Sequence, residues 1–507
     1  MFSDATIEQV NDAMKRSGIA FKSYSKSSLV ARASLLRAIA MEIEVLGDAL
    51  IEVTMRETNL PEARLKGERG RTMYQLTSYA DACEKGDWLE ARICTALPDK
   101  VPARPDIRKM LVPLGPVVVF GSSNFPYAYS TAGGDTASAL AAGCTVVVKA
   151  HPAHPETSAL VAGAIGKALS KMNMSQDIFI HLNGASHAIG EALVKNEQAK
   201  AVGFTGSFTG GMALFNWANQ RKEPIPVFAE MGSVNPVFLF EEKLSSDPAG
   251  IAKLYADSIS LGVGQFCTNP GIIIGMDSAA LQAFISFLGE KMDAITVGKM
   301  LHQGIADAYI QKATTVLQHA AVSNVSSSLD ATGLSAPRPI IASVSASAFL
   351  ENPSLKEEVF GPFSLVVVCS DVQEMKAVAV AMDGQLTSTI MATEKEALAN
   401  TEIIDLVAEK CGRIIMNGVP TGVEVCYAMQ HGGPFPATTD ARFGAVGEDA
   451  RIQPRRFQGL QYCRNLRIGA QLPIECQQAF AQGIVAVLPT AKASRPNQGL
   501  ADGGNAA

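Results

Sequence analysis

Apolar residues recur every three or four positions through the first hundred residues, as in SSLVARASLLRAIAMEIEVLGDALIEVTMRET, with charges between them. That period predicts amphipathic helices packed as a flank. From Met110 the pattern changes to short continuous apolar runs rich in β-branched residues: LVPLGPVVVFG, TVVVK, IFIHL, KAVGF, PVFAE and NPVFLF. Such runs, mostly separated by helical stretches, predict strands of a parallel sheet covered on both faces. A second series, PGIIIG, RPIIA, FSLVVVC, STIMATE and GRIIMNG, follows Cys267 and predicts a second α/β unit. Ligands of open parallel sheets bind outside the carboxyl ends of the strands, so the residues there are the first candidates for chemistry.

Between Ala91 and Leu114, four prolines interrupt alternating apolar positions, the pattern of an edge hairpin or arm that can pair with another subunit. The small, polar stretch TAKASRPNQGLADGGNAA predicts a disordered tail. At 507 residues the chain exceeds one ordinary core, which predicts two or three domains. A net charge of −6, with lysine and arginine scattered, argues against a nucleic-acid partner. The apolar runs are too short to span a bilayer, and MFSDATIEQVNDAMKRSG has no secretory pattern. Nine cysteines without a CxxC pair and seven histidines without HExxH spacing predict reduced thiols, a cytoplasmic location and no metal site.

Chemistry concentrates in a few segments. GQFCTNPG places Cys267 in a tight polar loop, where backbone N–H groups can stabilise a thiolate and then an oxyanion. Free cysteines are also commonly small buried hydrophobes. FAEMGS ends a predicted strand at Glu230, a candidate base. SSNFPYAYS puts Asn124 just past another strand, as an oxyanion donor or an ordinary turn residue. VVVKAHPAHPETS ends a strand at Lys149, within reach of ribose or phosphate oxygens unless it is simply solvated. FTGSFTGG brackets a helix start with Gly206 and Gly211, suited to a pyrophosphate although Met212 rules out a P-loop. No histidine is placed by its sequence context to serve Cys267, which disfavours a thiol hydrolase.

Taken together, NFP at Asn124, VVVK, GFTGS, AEMGSVNP, GQFCTNPG and EEVFGP resemble the aldehyde dehydrogenase superfamily over about residues 1 to 460. The resemblance implies an α/β fold of two units with Rossmann-like parallel sheets and a small β oligomerisation arm. It implies Cys267 as nucleophile, Glu230 as deacylating base, and Asn124 as oxyanion donor. The cofactor residues it implies are Lys149, Pro152, Gly206, Ser207, Gly211, Glu358 and Phe360. Many NAD-preferring relatives carry a glutamate where Pro152 stands, so the cofactor is expected to be NADP, with NAD usable and with Lys149, His151 or His154 contacting the phosphate.

GGDTASALAAGCTVVVKAHPAHPETS and NGVPTGVEVCYAMQHGGPFPATTDAR resemble the branch of α-ketoglutarate semialdehyde (2,5-dioxopentanoate) dehydrogenases and an NADP-dependent fatty aldehyde dehydrogenase. The semialdehyde is favoured. The substrate residues expected are Phe125, Phe266 and Arg69, with Arg64 and Arg71 on the same predicted helix. A tunnel for long-chain or aromatic aldehydes, lined by Phe125, Tyr129, Phe266 and Phe435, is the rival, and a catalytically silent binding protein a distant one. Expected boundaries are 1–90 and 115–240 for the cofactor domain and 241–447 for the catalytic domain. The arm takes 91–114 and 448–480, and the tail 481–507. The region from about Arg456 departs from the branch pattern, and the assembly expected is a homodimer or homotetramer.

Overall fold

Thr6 and Gln9 form a reciprocal cap, each side chain accepting from the other's backbone N–H, and this starts the helix Ile7–Tyr24. Helices Leu29–Val45, Gly47–Thr58 and Glu62–Lys85 complete the flank. The last stops at Gly86, whose φ of 66° is left-handed. This computed structural model describes residues 2–296, 298–326, 336–426, 428–444 and 446, together with the backbone of 463–469.

Strands β1 (Arg92–Cys94) and β2 (Ile107–Pro113) pair antiparallel as the expected hairpin. Strands β3 (Val117–Phe120), β4 (Val146–Lys149), β5 (Phe179–Leu182), β6 (Ala201–Thr205) and β7 (Val227–Glu230) form a parallel sheet ordered β5-β4-β3-β6-β7. Its valines are buried on both faces, as the continuous apolar runs require. The register aligns Phe120 with Lys149 and Phe204, and Thr205 with Glu230, so the carboxyl ends share one edge. The strand order reverses between β3 and β6, a switch point of the kind where open sheets bind ligands.

The second sheet contains β8 (Val237–Leu239), β9 (Ile272–Met276), β10 (Ser323–Asn324), β11 (Ile340–Ser345), β12 (Phe363–Cys369), β13 (Gln385–Met391) and β14 (Cys411–Met416). Its order is β10-β11-β12-β9-β8-β13-β14, parallel except at β10. β8 was expected within the first unit, but it pairs Val237 with Ile273 and with Thr389. The chain crosses between the sheets before residue 237, through a turn in which Asn235 takes a left-handed φ of 46°. β15 (Cys463–Gly469) adds antiparallel to β2, with Leu466 opposite Met110, so this part of 448–480 joins the hairpin. The expected tail, 481–507, lies outside the described residues. No described helix is long and apolar enough to cross a membrane.

Candidate active site

The Cys267 loop is held from three directions. Before it, the turn Leu261–Gly264 contains Val263 at φ 59°, where a β-branched side chain is strained. Gly264, at φ 65°, lies so close to Gly361 that a Cβ would come within 2.3 Å of its carbonyl carbon. Behind it, the buried Asn235 side chain donates to the carbonyls of Cys267 and Asn269, both at 2.9 Å. Ser233 Oγ donates to Asn235 Oδ1 and Gln385 Oε1, and Thr387 Oγ1 also donates to Asn235 Oδ1. This satisfied buried network fixes the loop's path. On the third side, Asn124 Nδ2 donates to the Gln265 carbonyl at 3.2 Å, which tethers the expected oxyanion donor to the loop.

Glu230 ends β7 and is 6% exposed. A turn ending in an isolated antiparallel bridge at Thr438 meets the end of that strand: Met231 N–H donates to Ala437 O, Thr439 N–H to Ala229 O, and Ala229 N–H to Thr439 Oγ1. It delivers His431, fully buried, to the centre of the site. His431 Nε2 lies 3.3 Å from Cys267 Sγ and 3.2 Å from Glu230 Oε1. A histidine does therefore serve Cys267, contrary to expectation. It is 164 residues from the cysteine in sequence. Both neighbours meet the same ring nitrogen, and Nδ1 has no aligned partner among the described residues, so this is not the relay of a thiol hydrolase triad.

Burial, followed by the Glu230 carboxylate, pushes the Cys267 thiol well above its ordinary range, while Arg71 opposes the shift. That direction favours the protonated thiol, with the carboxylate and the imidazole beside it able to accept its proton.

Cys267 lies where two cavities meet. The larger, about 600 Å³, is lined by Asn124, His151, Gly206, Ser207, Gly210, Glu230, His302, Glu358 and Phe360, among others. Ser207 caps the helix Phe208–Asn219 by accepting from Gly210 N–H, which presents a helix start to the cleft. A Cβ on Gly206 would come 2.7 Å from the Phe204 ring, and one on Gly232 2.8 Å from Glu358 Oε2. These small residues keep the cleft open for a dinucleotide, and the residues present fit one. Burial raises the Glu358 carboxyl to about 7, against the Ser233 N–H and Lys312.

Several cofactor expectations shift. Gly211 is not on the cleft: its Cα faces Met231, where a Cβ would come within 2.6 Å. His154 is fully buried, with Nε2 2.8 Å from Ser122 O and Nδ1 3.1 Å from Ser158 Oγ, so it cannot reach a phosphate. His151 does line the cleft, but burial and neighbouring His154, His302 and Lys149 keep it neutral, so it offers a hydrogen bond and no charge. Lys149 sits half-buried at the end of β4, and Pro152 is exposed in the following turn. Burial lowers the Lys149 pKa, partly offset by Asp4, whose carboxylate accepts from Ala185 and Ser186 N–H.

The smaller cavity, about 230 Å³, is lined by Arg64, Glu68, Arg71, Phe125, Tyr129 and Phe266, with Cys267 and Val423. Phe125 stands edge-on to Tyr129 at 5.1 Å and to Phe266 at 5.5 Å. Phe125 and Phe266 both line this cavity, and Arg69 does not. Its guanidinium donates to the Gly47 carbonyl at 2.6 Å, because it projects from the helix in a different direction from Arg64 and Arg71. Phe435 is 59% exposed and packs on Phe208, away from the tunnel it was expected to line.

A half-buried thiol with a carboxylate and an imidazole beside it stands between a cleft that fits a dinucleotide and a smaller cavity, an arrangement suited to the oxidation of a carbonyl compound. A profile described as the aldehyde dehydrogenase family matches residues 1–434, and the chain belongs to that family, whose members use NAD or NADP. It is 47% identical over 451 residues to alpha-ketoglutaric semialdehyde dehydrogenase 2 of Azospirillum brasilense, covering 89% of this chain and 86% of the relative. Alpha-ketoglutaric semialdehyde dehydrogenase of Acinetobacter baylyi is 43% identical over 452 residues, with the same two coverages. Among solved structures, methylmalonate-semialdehyde dehydrogenase from Oceanimonas doudoroffii superposes with a TM-score of 0.76 at 17% identity, covering 94% of this chain and 93% of that one.

Proposed function

We propose that this enzyme oxidises 2,5-dioxopentanoate to 2-oxoglutarate through a thioester on Cys267, with NADP as the preferred cofactor. The single observation that carries this reading is the position of Cys267, shared by a dinucleotide cleft and a cavity small enough for a short-chain aldehyde. At about 230 Å³ that cavity is below the roughly 300–1,000 Å³ of pockets for drug-sized ligands. The two relatives above 40% identity carry this substrate in their names, which supports the same choice.

His431 Nε2 accepts the thiol proton as Sγ attacks the aldehyde carbon. Asn124, tethered to the loop through Gln265, supplies an amide N–H to the oxyanion. Lys149, Ser207, Gly206, Glu358 and Phe360 hold the cofactor, which when bound supplies the hydride acceptor that turns the adduct into a thioester. Glu230 then removes a proton from the water that attacks the thioester, and the Cys267 thiolate leaves and recovers its proton from His431 as the acid is released. NADP is preferred because the position of Pro152 carries no carboxylate to repel a 2′-phosphate, which outweighs the ionised Asp4 on the other side of Lys149. Seven described cysteines are all free thiols, which supports a cytoplasmic setting. Ile93, Leu97, Val101 and Ile107 are exposed on the arm, which supports a homodimer or homotetramer.

A panel of 2,5-dioxopentanoate, aliphatic aldehydes and aromatic aldehydes, each assayed with NAD and NADP, tests the reading. The expected result is the highest kcat/KM for the semialdehyde with NADP. A higher value for hexanal or benzaldehyde overturns the substrate, and a clear preference for NAD overturns the cofactor.

A further inference from the structure

We propose that Glu230, Cys267 and His431 form a zinc site through which the free ion shuts the enzyme off reversibly. Glu230 ends β7, Cys267 stands in the loop before β9, and His431 lies 164 residues beyond the cysteine, so no ligand spacing along the chain marks the set. Their donor atoms, a carboxylate oxygen, Sγ and a ring nitrogen, all lie within 4.8 Å of one another. His431 Nε2 is 3.3 Å from Sγ and 3.2 Å from Glu230 Oε1. Zinc bonds of about 2.3 Å to sulfur and about 2.0–2.2 Å to nitrogen and oxygen, at tetrahedral angles, put donors roughly 3.3–3.6 Å apart. Small side-chain adjustments therefore suffice to seat the ion.

The hydrogen bonding of these three groups is incomplete without it. Both Glu230 oxygens are buried with no aligned donor among the described residues, and the residue is only 6% exposed. A buried carboxylate in that state lacks a positive partner. The one ring nitrogen that faces it also faces the thiol, and through a proton it can serve only one of the two. An ion between the three satisfies them together. Thiolate and carboxylate balance its charge, and a sulfur, nitrogen and oxygen set selects zinc over magnesium or calcium, which take oxygen. Cys267 opens on both cavities, which leaves the fourth position to water. Asn235 already fixes the loop through the carbonyls of Cys267 and Asn269, so the sulfur is held in place beforehand. The ion enters by the larger cleft, which Glu358 also lines, because Arg64 and Arg71 line the smaller cavity. His431 Nδ1 has, among the described residues, none of the acceptors that hold a resident zinc ligand in place, so the ion is taken reversibly. On binding, the S–H bond breaks, an S–Zn bond forms and the proton passes to solvent. Cys267 is then unable to attack an aldehyde.

The test titrates the full chain, freed of metal with EDTA, with Zn²⁺ and with Co²⁺ as a spectroscopic substitute. The expected result is one ion per chain, a thiolate-to-cobalt charge-transfer band, and a Zn²⁺-dependent loss of 2,5-dioxopentanoate oxidation that EDTA reverses. Cys267→Ser should remove the band, and His431→Ala and Glu230→Gln should each weaken Zn²⁺ binding by at least about tenfold. Should His431→Ala fail to fold, His431→Phe, which keeps a ring in the same space, and Glu230→Gln carry the same readout. Zn²⁺ affinity unchanged in the histidine and glutamate variants means a complex of the thiol alone and overturns the site. A cobalt spectrum without the thiolate band, or inhibition that EDTA leaves in place, overturns it as well. The spectra and the binding need no turnover, so they decide the site whichever aldehyde the enzyme prefers.

Discussion

The two cavities that meet at Cys267 are built from different materials. The larger cleft, proposed for the cofactor, draws about half of its lining from small residues, with Gly206, Ser207 and Gly210 around one helix start. The substrate cavity is made of large side chains from distant parts of the chain: Arg64 and Arg71 from one helix, Phe125 and Tyr129 from the turn after β3, Phe266 from the cysteine loop, and Val423. A cleft of backbone N–H groups accepts any ligand with the right phosphate geometry, whereas a wall of side chains discriminates by charge and shape. Generic chemistry therefore belongs to the first region and selectivity to the second.

Substitutions should separate along that line. Between the two cavities, a large effect is expected at Asn124, proposed to serve the reaction itself: Asn124→Ala should lower kcat by about 10²–10³ for charged and neutral aldehydes alike. A loss that tracks the substrate's carboxylate would break the comparison, because the Asn124 carbonyl also receives Arg64. A smaller effect is expected at Glu358 on the cofactor side. With its carboxyl raised to about 7, it loses its proton between pH 6 and pH 8, and the ionised form would be the stronger acceptor for a cofactor's ribose hydroxyls. The KM for NAD should accordingly fall by up to about tenfold as pH rises from 6 to 8. NAD is the right probe because it carries no 2′-phosphate titrating in the same range. Glu358→Gln should flatten the profile, while the preference among aldehydes stays as it was.

The same division explains what could be read from the sequence. Strands, the helical flank, and the positions of Asn124, Glu230 and Cys267 were legible because each depends on a contiguous segment: a β-branched run, then a turn. His431 was not, because main-chain bonds between residues 437–439 and β7 bring it to a cysteine 164 residues away. Its only local mark is the pair of glycines that follows it in QHGGPFP. Helical phase alone separates Arg69 from its neighbours, since positions 64, 68 and 71 share a face that 69 does not. β8 reads like the strands before it, and only pairing with β9 and β13 assigns it to the second sheet.

The most direct test of the account is the covalent state of Glu230→Gln during reaction. Mixed with 2,5-dioxopentanoate and NADP, this variant should release close to one equivalent of NADPH per active site and then nearly stop. Mass spectrometry of the quenched protein should find the acyl group on the peptide containing Cys267. Steady turnover at the wild-type rate, or a burst with no adduct on Cys267, would contradict the assignment of Cys267 as nucleophile and Glu230 as the base that releases the product.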